Sequence, residues 1–170
     1  MDRYQLAYLL LVLGLAISVL YSTRTKEEFP RVVSEDRLSV GGGDAVRLTY
    51  ETGETVELWL RGEGGGVGRL TVAVRAHKGS RVEAVRTNLT GSFIWLGLST
   101  MRPLDGRLYV NESRGVYEFA LEGIGVSGAD GITVDFLLIP PDQVSVELEV
   151  DVRRGATLRH LRALETLSPP

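Results

Sequence analysis

The sequence contains no cysteine among its 170 residues. Disulfide bonds, thiolate metal ligands and cysteine nucleophiles are therefore excluded. A disulfide-free exported domain is ordinary for a prokaryotic protein and unusual for a small secreted eukaryotic one. Lysine is also scarce: of the 19 basic residues, only Lys26 and Lys78 are lysine.

Histidine is scarce, and the chain has no excess of basic charge. The net charge is −3 and the isoelectric point is near 5.5, which does not favour nucleic-acid binding. The only histidines, His77 and His160, have no convergent partners in the sequence, so neither a metal site nor a catalytic triad is indicated. We predict no catalytic, cofactor-binding or metal-binding residues, and therefore no enzyme.

One row of carboxylates leaves an alternative open. Glu147, Glu149 and Asp151 alternate along one strand, so they share one face and could offer oxygen ligands to Ca²⁺. A solvated face opposite cross-strand arginines is the favoured interpretation. The glycine-rich segment 62–68 lacks the spacing of a dinucleotide or phosphate loop, and it is interpreted as a hairpin loop.

The chain is rich in apolar residues at its beginning. No residue from Tyr4 to Thr23 carries a charge. As a helix, such a run would cover about 30 Å, the hydrocarbon thickness of a bilayer. We predict a transmembrane signal-anchor over 1–23, with a cleaved signal peptide and a buried core helix as alternatives. Gly14 and Ser18 lie four residues apart and form a candidate helix-packing pair.

The remaining sequence reads as strands and turns. A charged stalk is predicted over 24–37 and a β-sandwich over 38–170. Apolar and polar residues alternate, as in half-buried strands, over 46–50, 56–60, 70–76, 117–121, 132–138 and 144–152. Turn residues separate these runs at 41–44, 52–54, 78–79, 105–106, 130–131 and 140–142.

This pattern predicts a mainly β fold. We expect an antiparallel β-sandwich of eight or nine strands with Ig-like architecture, following the N-terminal transmembrane helix. The dense apolar run 93–98 is interpreted as a buried central strand, with an exposed strip for a partner as the alternative. Leucines recur at a spacing of three in Ala156–Leu167, which predicts a short C-terminal helix.

Two sequons suggest export. Asn88 and Asn111 each begin an N-x-[ST] triplet without proline in the middle, and we predict that both are glycosylated. Glycosylation requires exposure outside the cytoplasm. Together with the anchor, the sequons predict a single-pass membrane protein with its domain on the extracytoplasmic face.

The sequence favours function by contact. The main hypothesis is a structural or interaction subunit of a cell-envelope complex, with membrane lipid and other envelope proteins or further copies as partners. An apolar helix before a β-sandwich head is also similar in plan to archaeal pilins and archaellum-associated proteins, which implies a filament subunit as an alternative. A carbohydrate-binding module that uses Trp59 or Trp95 as a stacking platform is a second alternative.

Overall fold

A computed structural model describes residues 3–22, 24–40, 43–100, 107–113, 116–128, 130–140 and 143–169. Within these ranges it contains a single helix, α1 (Arg3–Ser22), followed by strands. The strands are β1 (Lys26–Glu28), β2 (Val32–Val40), β3 (Gly43–Tyr50), β4 (Thr55–Gly64), β5 (Val67–Arg75), β6 (Arg81–Thr90), β7 (Ile94–Thr100), β8 (Arg107–Ser113), β9 (Val116–Ser127), β10 (Ile132–Ile139), β11 (Val144–Arg154) and β12 (Thr157–Leu167).

The strands form two six-stranded sheets that pack face to face. Sheet A has the order β1-β12-β11-β6-β9-β8, and sheet B has the order β2-β3-β4-β5-β10-β7. All strand pairs are antiparallel except β1 with β12, which is parallel. The prediction of a mainly β sandwich is confirmed, although the described residues alone form more strands than the eight or nine expected.

The core lies between the sheets and follows the alternation in the sequence. Along β11, Val144, Val146, Leu148, Val150 and Val152 are all buried, while the residues between them are not. Burial of each such side chain contributes roughly 1.5–3 kcal/mol relative to exposure. The predicted turns at 41–42, 105–106 and 141–142 lie outside the described residues.

The predicted C-terminal helix is wrong. Residues Thr157–Leu167 form β12, which pairs with β11 along its whole length. The buried positions of its second half recur every two residues, at Leu161, Ala163, Glu165 and Leu167. The alternation was not recognised in the sequence because two of the inward positions carry small Ala163 and charged Glu165. Exposed Leu164 instead adds to a spacing of three between leucines, which is typical of a helix.

The predicted single-pass membrane location is also wrong. Over the residues that the structure describes, no helix combines the length and the hydropathy that a membrane span requires. Gln5, Tyr8, Gly14 and Ser18 lower the hydropathy of the uncharged run.

Helix α1 is not a core helix either. Its side chains from Tyr4 to Leu20 are all exposed, so the alternative of a buried helix is contradicted. Part of the segment that was expected to be a stalk belongs to the sheets, because β1 and the first residues of β2 lie within 24–37.

Candidate interaction surface

Each sheet ends in two edge strands, and each side of the sandwich contains one edge strand from each sheet. On one side, the Tyr50 hydroxyl of β3 donates a 2.7 Å hydrogen bond to the Arg162 carbonyl oxygen of β12. On the other side, the rings of Phe119 in β9 and Phe136 in β10 lie 4.7 Å apart. Edges β1 and β2 therefore share the first side, which we call the clamped side, and edges β7 and β8 share the second, the open side.

A charge pair joins the two sheets on the clamped side. The side chains of Glu35 and Arg37 in β2 lie opposite buried Leu48 and Val46, so they point toward the core. Arg37 Nη2 lies 2.5 Å from Oε2 of Glu165, which is only 8% exposed. Burial raises the pKa of the Glu165 carboxyl, the nearby Glu35 raises it further, and the Arg37 guanidinium opposes both effects.

A second charge pair on this side is more deeply buried. The Glu54 carboxylate is fully buried and accepts hydrogen bonds from Arg159 Nη1 at 2.6 Å and from the Thr52 hydroxyl. Arg159 Nε also donates to Glu28 at 3.1 Å, so this guanidinium links β1, β12 and the turn between β3 and β4. Hydrogen bonds from Lys26 and Arg159 lower the pKa of the Glu28 carboxyl.

The open side is filled by aromatic rings. The rings of Phe93 and Tyr117 lie 4.9 Å apart, and those of Trp95 and Phe119 lie 5.5 Å apart. The ring pair of Phe119 and Phe136 continues the cluster into the core. Contact between the sheets is therefore mainly apolar here, in contrast to the clamped side.

Strand β8 extends beyond this aromatic cluster. Leu108 and Val110 lie opposite Leu121 and Phe119, whose buried side chains face the core. Yet Leu108 and Val110 are 46% and 43% exposed, because the opposite sheet does not cover them. Tyr109 points to the outer face and is 49% exposed, so β8 presents apolar groups on both faces.

The outer side of β8 has no neighbouring strand within the described part of the chain, because β8 ends the order of sheet A. We call this unpaired side of Arg107–Ser113 the open edge. Peptide groups that point away from β9 are available there for hydrogen bonds to another strand. The open edge thus combines free backbone groups with exposed apolar side chains.

Strand β7 is the corresponding edge of sheet B. Its first residues come from the run 93–98, which the sequence suggested would be a central strand. That prediction is wrong: Phe93 is buried, but Ile94 and Leu96 are 61% and 50% exposed. The exposed-strip alternative describes these two residues better.

The two sequon asparagines share one cross-strand row on the outer face of sheet A. Asn88 and Asn111 both lie opposite Glu118 of β9, one on each side. The Asn111 amide donates to Glu118 at 3.0 Å, and the Asn88 amide donates to Glu147 at 3.4 Å. Both lie within strands rather than at turns, and their glycosylation stays a prediction.

The carboxylate row of β11 is engaged by neighbouring side chains. Asp151 lies 2.9 Å from Arg86 and 2.8 Å from Nδ1 of His160, and Glu149 lies 3.1 Å from Arg162. These contacts agree with the interpretation of a solvated face opposite cross-strand arginines. Among the described residues, no group of three or more potential ligands could hold a metal ion.

The remaining sequence candidates are dispersed. The ring of His160 stacks on Phe29 at 5.0 Å, whereas His77 lies beside Gly53 in the turn between β3 and β4. The Arg61 guanidinium lies 5.2 Å from the centre of the Trp59 ring, and Trp95 belongs to the aromatic cluster of the open side. These contacts disfavour a stacking platform for sugars.

Gly14 and Ser18 lie on α1, away from the sandwich. A Cβ atom at Gly14 would meet nothing within 4 Å. The pair is therefore accessible to another helix. Its role in helix packing stays a prediction.

Comparisons with known proteins assign no family to this chain. The sequence matches no protein-family model and no curated protein. Among solved structures, the chain is similar to a cohesin module from a Clostridium perfringens family 33 glycoside hydrolase, at 12% identity and a TM-score of 0.49, covering 68% of this chain and 94% of that one. A non-cellulosomal cohesin from the hyperthermophilic archaeon Archaeoglobus fulgidus is 8% identical, with a TM-score of 0.41, covering 60% of this chain and 83% of that one.

The GAE domain of GGA2p from Saccharomyces cerevisiae is similar at 12% identity and a TM-score of 0.35, covering 78% of this chain and 94% of that one. All three TM-scores lie below 0.5, so they assign neither a family nor an activity to this chain.

Proposed function

We propose that this protein is a non-enzymatic interaction module, a β-sandwich that acts as a structural subunit of a larger assembly. The observation that carries the proposal is the open edge. Strand β8 exposes Leu108 and Val110 on one face, Tyr109 on the other, and a row of backbone groups between them. Such an edge favours the addition of another strand.

The chemistry elsewhere in the described residues supports contact rather than catalysis. Two shallow hollows of about 320 and 470 Å³ flank Arg86 on the outer face of sheet A. Arg86 itself is held by Glu122 at 3.0 Å and by Asp151 at 2.9 Å. The residues described around these hollows include no nucleophile beside a base, so we assign them no reaction.

To test the proposal, we would measure the mass of the native complex in two variants, one with a lysine on edge strand β8 and one with a lysine on edge strand β2. We expect the native protein to migrate well above its 18.6 kDa monomer mass and Val110→Lys to return it toward the monomer. Ser34→Lys on β2 is the matched control and should leave the complex intact. A native protein that migrates as a monomer would overturn the proposal.

A second candidate is assembly through α1, as in a filament subunit. The apolar side chains of α1 are exposed in the single chain; Leu11 and Leu15, for example, are 62% and 59% exposed. Contact with apolar groups of further copies would remove these side chains from water and so stabilise the helix. Gly14→Leu should prevent close helix packing and remove filaments from electron micrographs while the sandwich stays folded. Filaments that persist unchanged would exclude this route.

A further inference from the structure

The open edge has a sequence that complements itself. We infer that a second copy of this chain occupies it, with the two β8 strands antiparallel and Tyr109 of one copy opposite Tyr109 of the other. This inference rests on the proposed function and names the partner of the same edge. The result would be one continuous sheet made from sheet A of each copy.

Symmetry restricts the possible registers. Two identical antiparallel strands are related by a two-fold axis perpendicular to the sheet, so residues on the same face of the sheet lie opposite each other. In β8 the inner face carries Leu108, Val110 and Glu112, and the outer face carries Arg107, Tyr109, Asn111 and Ser113. The axis must therefore pass beside a residue of β8, and each choice gives a different set of pairs.

The axis beside Tyr109 pairs all three apolar residues of β8 with apolar residues of the other copy. It places Leu108 of each copy opposite Val110 of the other, which makes two apolar pairs on the inner face. It also places the two Tyr109 rings together on the outer face. Aromatic and apolar cross-strand pairs contribute roughly 0.2–1 kcal/mol each.

The registers centred on the next two residues are worse. An axis beside Val110 would place Leu108 opposite the Glu112 carboxylate of the other copy. Glu112 already accepts a 2.9 Å hydrogen bond from the Tyr117 hydroxyl, which fixes its charge on the inner face. An axis beside Asn111 would place Val110 opposite Glu112 instead. Both registers bring a charge against an apolar side chain.

Charge complementarity supports the same register. With the axis beside Tyr109, Arg107 of one copy lies opposite Asn111 of the other. Asn111 is hydrogen-bonded to Glu118 in the next strand at 3.0 Å. Arg107 lies directly opposite Glu122 of its own chain. Because strands are spaced by about 4.8 Å, Glu118 of the other copy would lie on its other side, about 10 Å away between Cα atoms.

The other edges of the described sheets fit this role less well. Strand β1 is three residues long and contains Lys26, Glu27 and Glu28. Strand β2 turns Glu35 and Arg37 inward, where a pairing copy would meet charge. Strand β7 has an irregular register against β10. Only β8, among the described edges, offers apolar side chains on its inner face along a regular ladder.

Cysteine substitution tests the register directly, because the 170-residue chain contains no other thiol. We would prepare Tyr109→Cys, Val110→Cys and Asn111→Cys, with Ser34→Cys on β2 as the control for random collision. Each reduced variant would be checked for its native circular dichroism spectrum. Disulfide dimers formed under mild oxidation would then be followed by non-reducing electrophoresis.

The cysteine variants differ in the distance between equivalent Cα atoms of the two copies. In the proposed register the Cα atoms of Tyr109 in the two copies lie about 5 Å apart, within the range that a disulfide bridges. The corresponding distance between the two copies is about 8 Å for Val110 and about 14 Å for Asn111. We expect Tyr109→Cys to form dimers at least about tenfold faster than the other three variants, because only its sulfur atoms meet without movement of the backbone.

Two results would overturn the inference. Fastest dimerisation of Val110→Cys or Asn111→Cys would show another register, and a Tyr109→Cys rate equal to that of Ser34→Cys would show that β8 does not pair with itself. In the second case, a native complex that Val110→Lys still disrupts would mean that a different protein occupies the open edge. The proposed function would then stand while the self-pairing would fail.

Discussion

The clamped and open sides of this sandwich differ in the side chains that their edge strands carry on the inner face. On the clamped side, β2 points Glu35 and Arg37 toward the core, and Arg37 reaches Glu165 in the other sheet. On the open side, the equivalent inner face of β8 carries Leu108 and Val110. Its one inward charge, Glu112, is near the end of the strand and accepts a hydrogen bond from Tyr117. Inward charges are a known protection against edge-to-edge pairing. The difference disfavours strand addition at β2 and supports our proposal that β8 pairs with another strand.

Substitutions on the two sides should also differ in their effect on the free energy of unfolding. A buried ion pair gains little overall because desolvation offsets the attraction, but the loss of one partner leaves an uncompensated charge. Exposed apolar groups at an edge contribute little to the single chain. We therefore expect large stability effects on the clamped side, and effects on association with small stability effects on the open side.

The largest expected effect is at the buried pair of the clamped side. Arg159→Met removes the cation from fully buried Glu54 and should lower the free energy of unfolding by about 3–5 kcal/mol. Urea denaturation followed by circular dichroism measures this change. Arg47→Met, which breaks an exposed pair with Glu57, is the matched control and should cost less than about 1 kcal/mol. Equal losses in both variants would refute the distinction.

A smaller effect is expected at the charge pair between β2 and β12. Arg37→Gln leaves the Glu165 carboxylate without its cation and should cost about 1 kcal/mol at pH 7. Burial raises the pKa of Glu165 above its ordinary value of 4.5, so its stabilising contribution is full below that pH and is lost as the pH rises through the folded-state pKa.

The variant should make this loss larger, because Arg37 opposes the raised pKa of Glu165. Urea midpoints measured at about pH 4 and about pH 7.5, on either side of the carboxyl titration, test the sign. The midpoint difference between the two proteins should be smaller at the acidic pH. A variant that is equally destabilised at both values would show that Glu165 does not carry the effect.

The Tyr50 hydroxyl should give an effect of similar size at neutral pH. Tyr50→Phe removes its hydrogen bond to the Arg162 carbonyl and should cost about 1 kcal/mol. Burial raises the pKa of Tyr50 from 10.0 to about 12, so the folded state holds this proton more tightly and stability should fall as the pH rises through that interval. Tyr50→Phe should show a shallower alkaline loss in thermal melts. Identical alkaline slopes would contradict this role.

The smallest stability effect is expected on the open edge. Leu108→Thr changes a side chain that is 46% exposed and should alter the free energy of unfolding of the single chain by less than about 1 kcal/mol. Association should nevertheless weaken severalfold, because the variant removes both Leu108–Val110 pairs between the copies. Sedimentation velocity at several protein concentrations measures both species. A variant that unfolds readily but associates normally would reverse the comparison.

The sequence predicted the sheets well where one face is covered. Alternation along 144–152 and 132–138 marked β11 and β10, because inward and outward positions differ in hydropathy. The sequence failed at the edges and at the last strand. In β8 neither face is covered, so apolar residues occur consecutively, and in β12 inward Glu165 breaks the apolar alternation.

The candidate site was harder to predict for the same reason. Arg37 and Glu165 are far apart in sequence, and only the stacking of the two sheets brings them together. The open edge depends on which strands pair with β8, and this long-range pairing is not encoded in any local sequence pattern. An apolar triplet, Leu108–Val110, between polar residues was the one available signal.

The central claim is that β8, unlike β2, is a pairing edge. Hydrogen–deuterium exchange of the 170-residue chain at low and high protein concentration tests it most directly. The account predicts that amides in Arg107–Ser113 become protected as the concentration rises, while those in Val32–Val40 keep the same exchange rate. Protection that appears in both edges, or in β2 alone, or in neither, would contradict it.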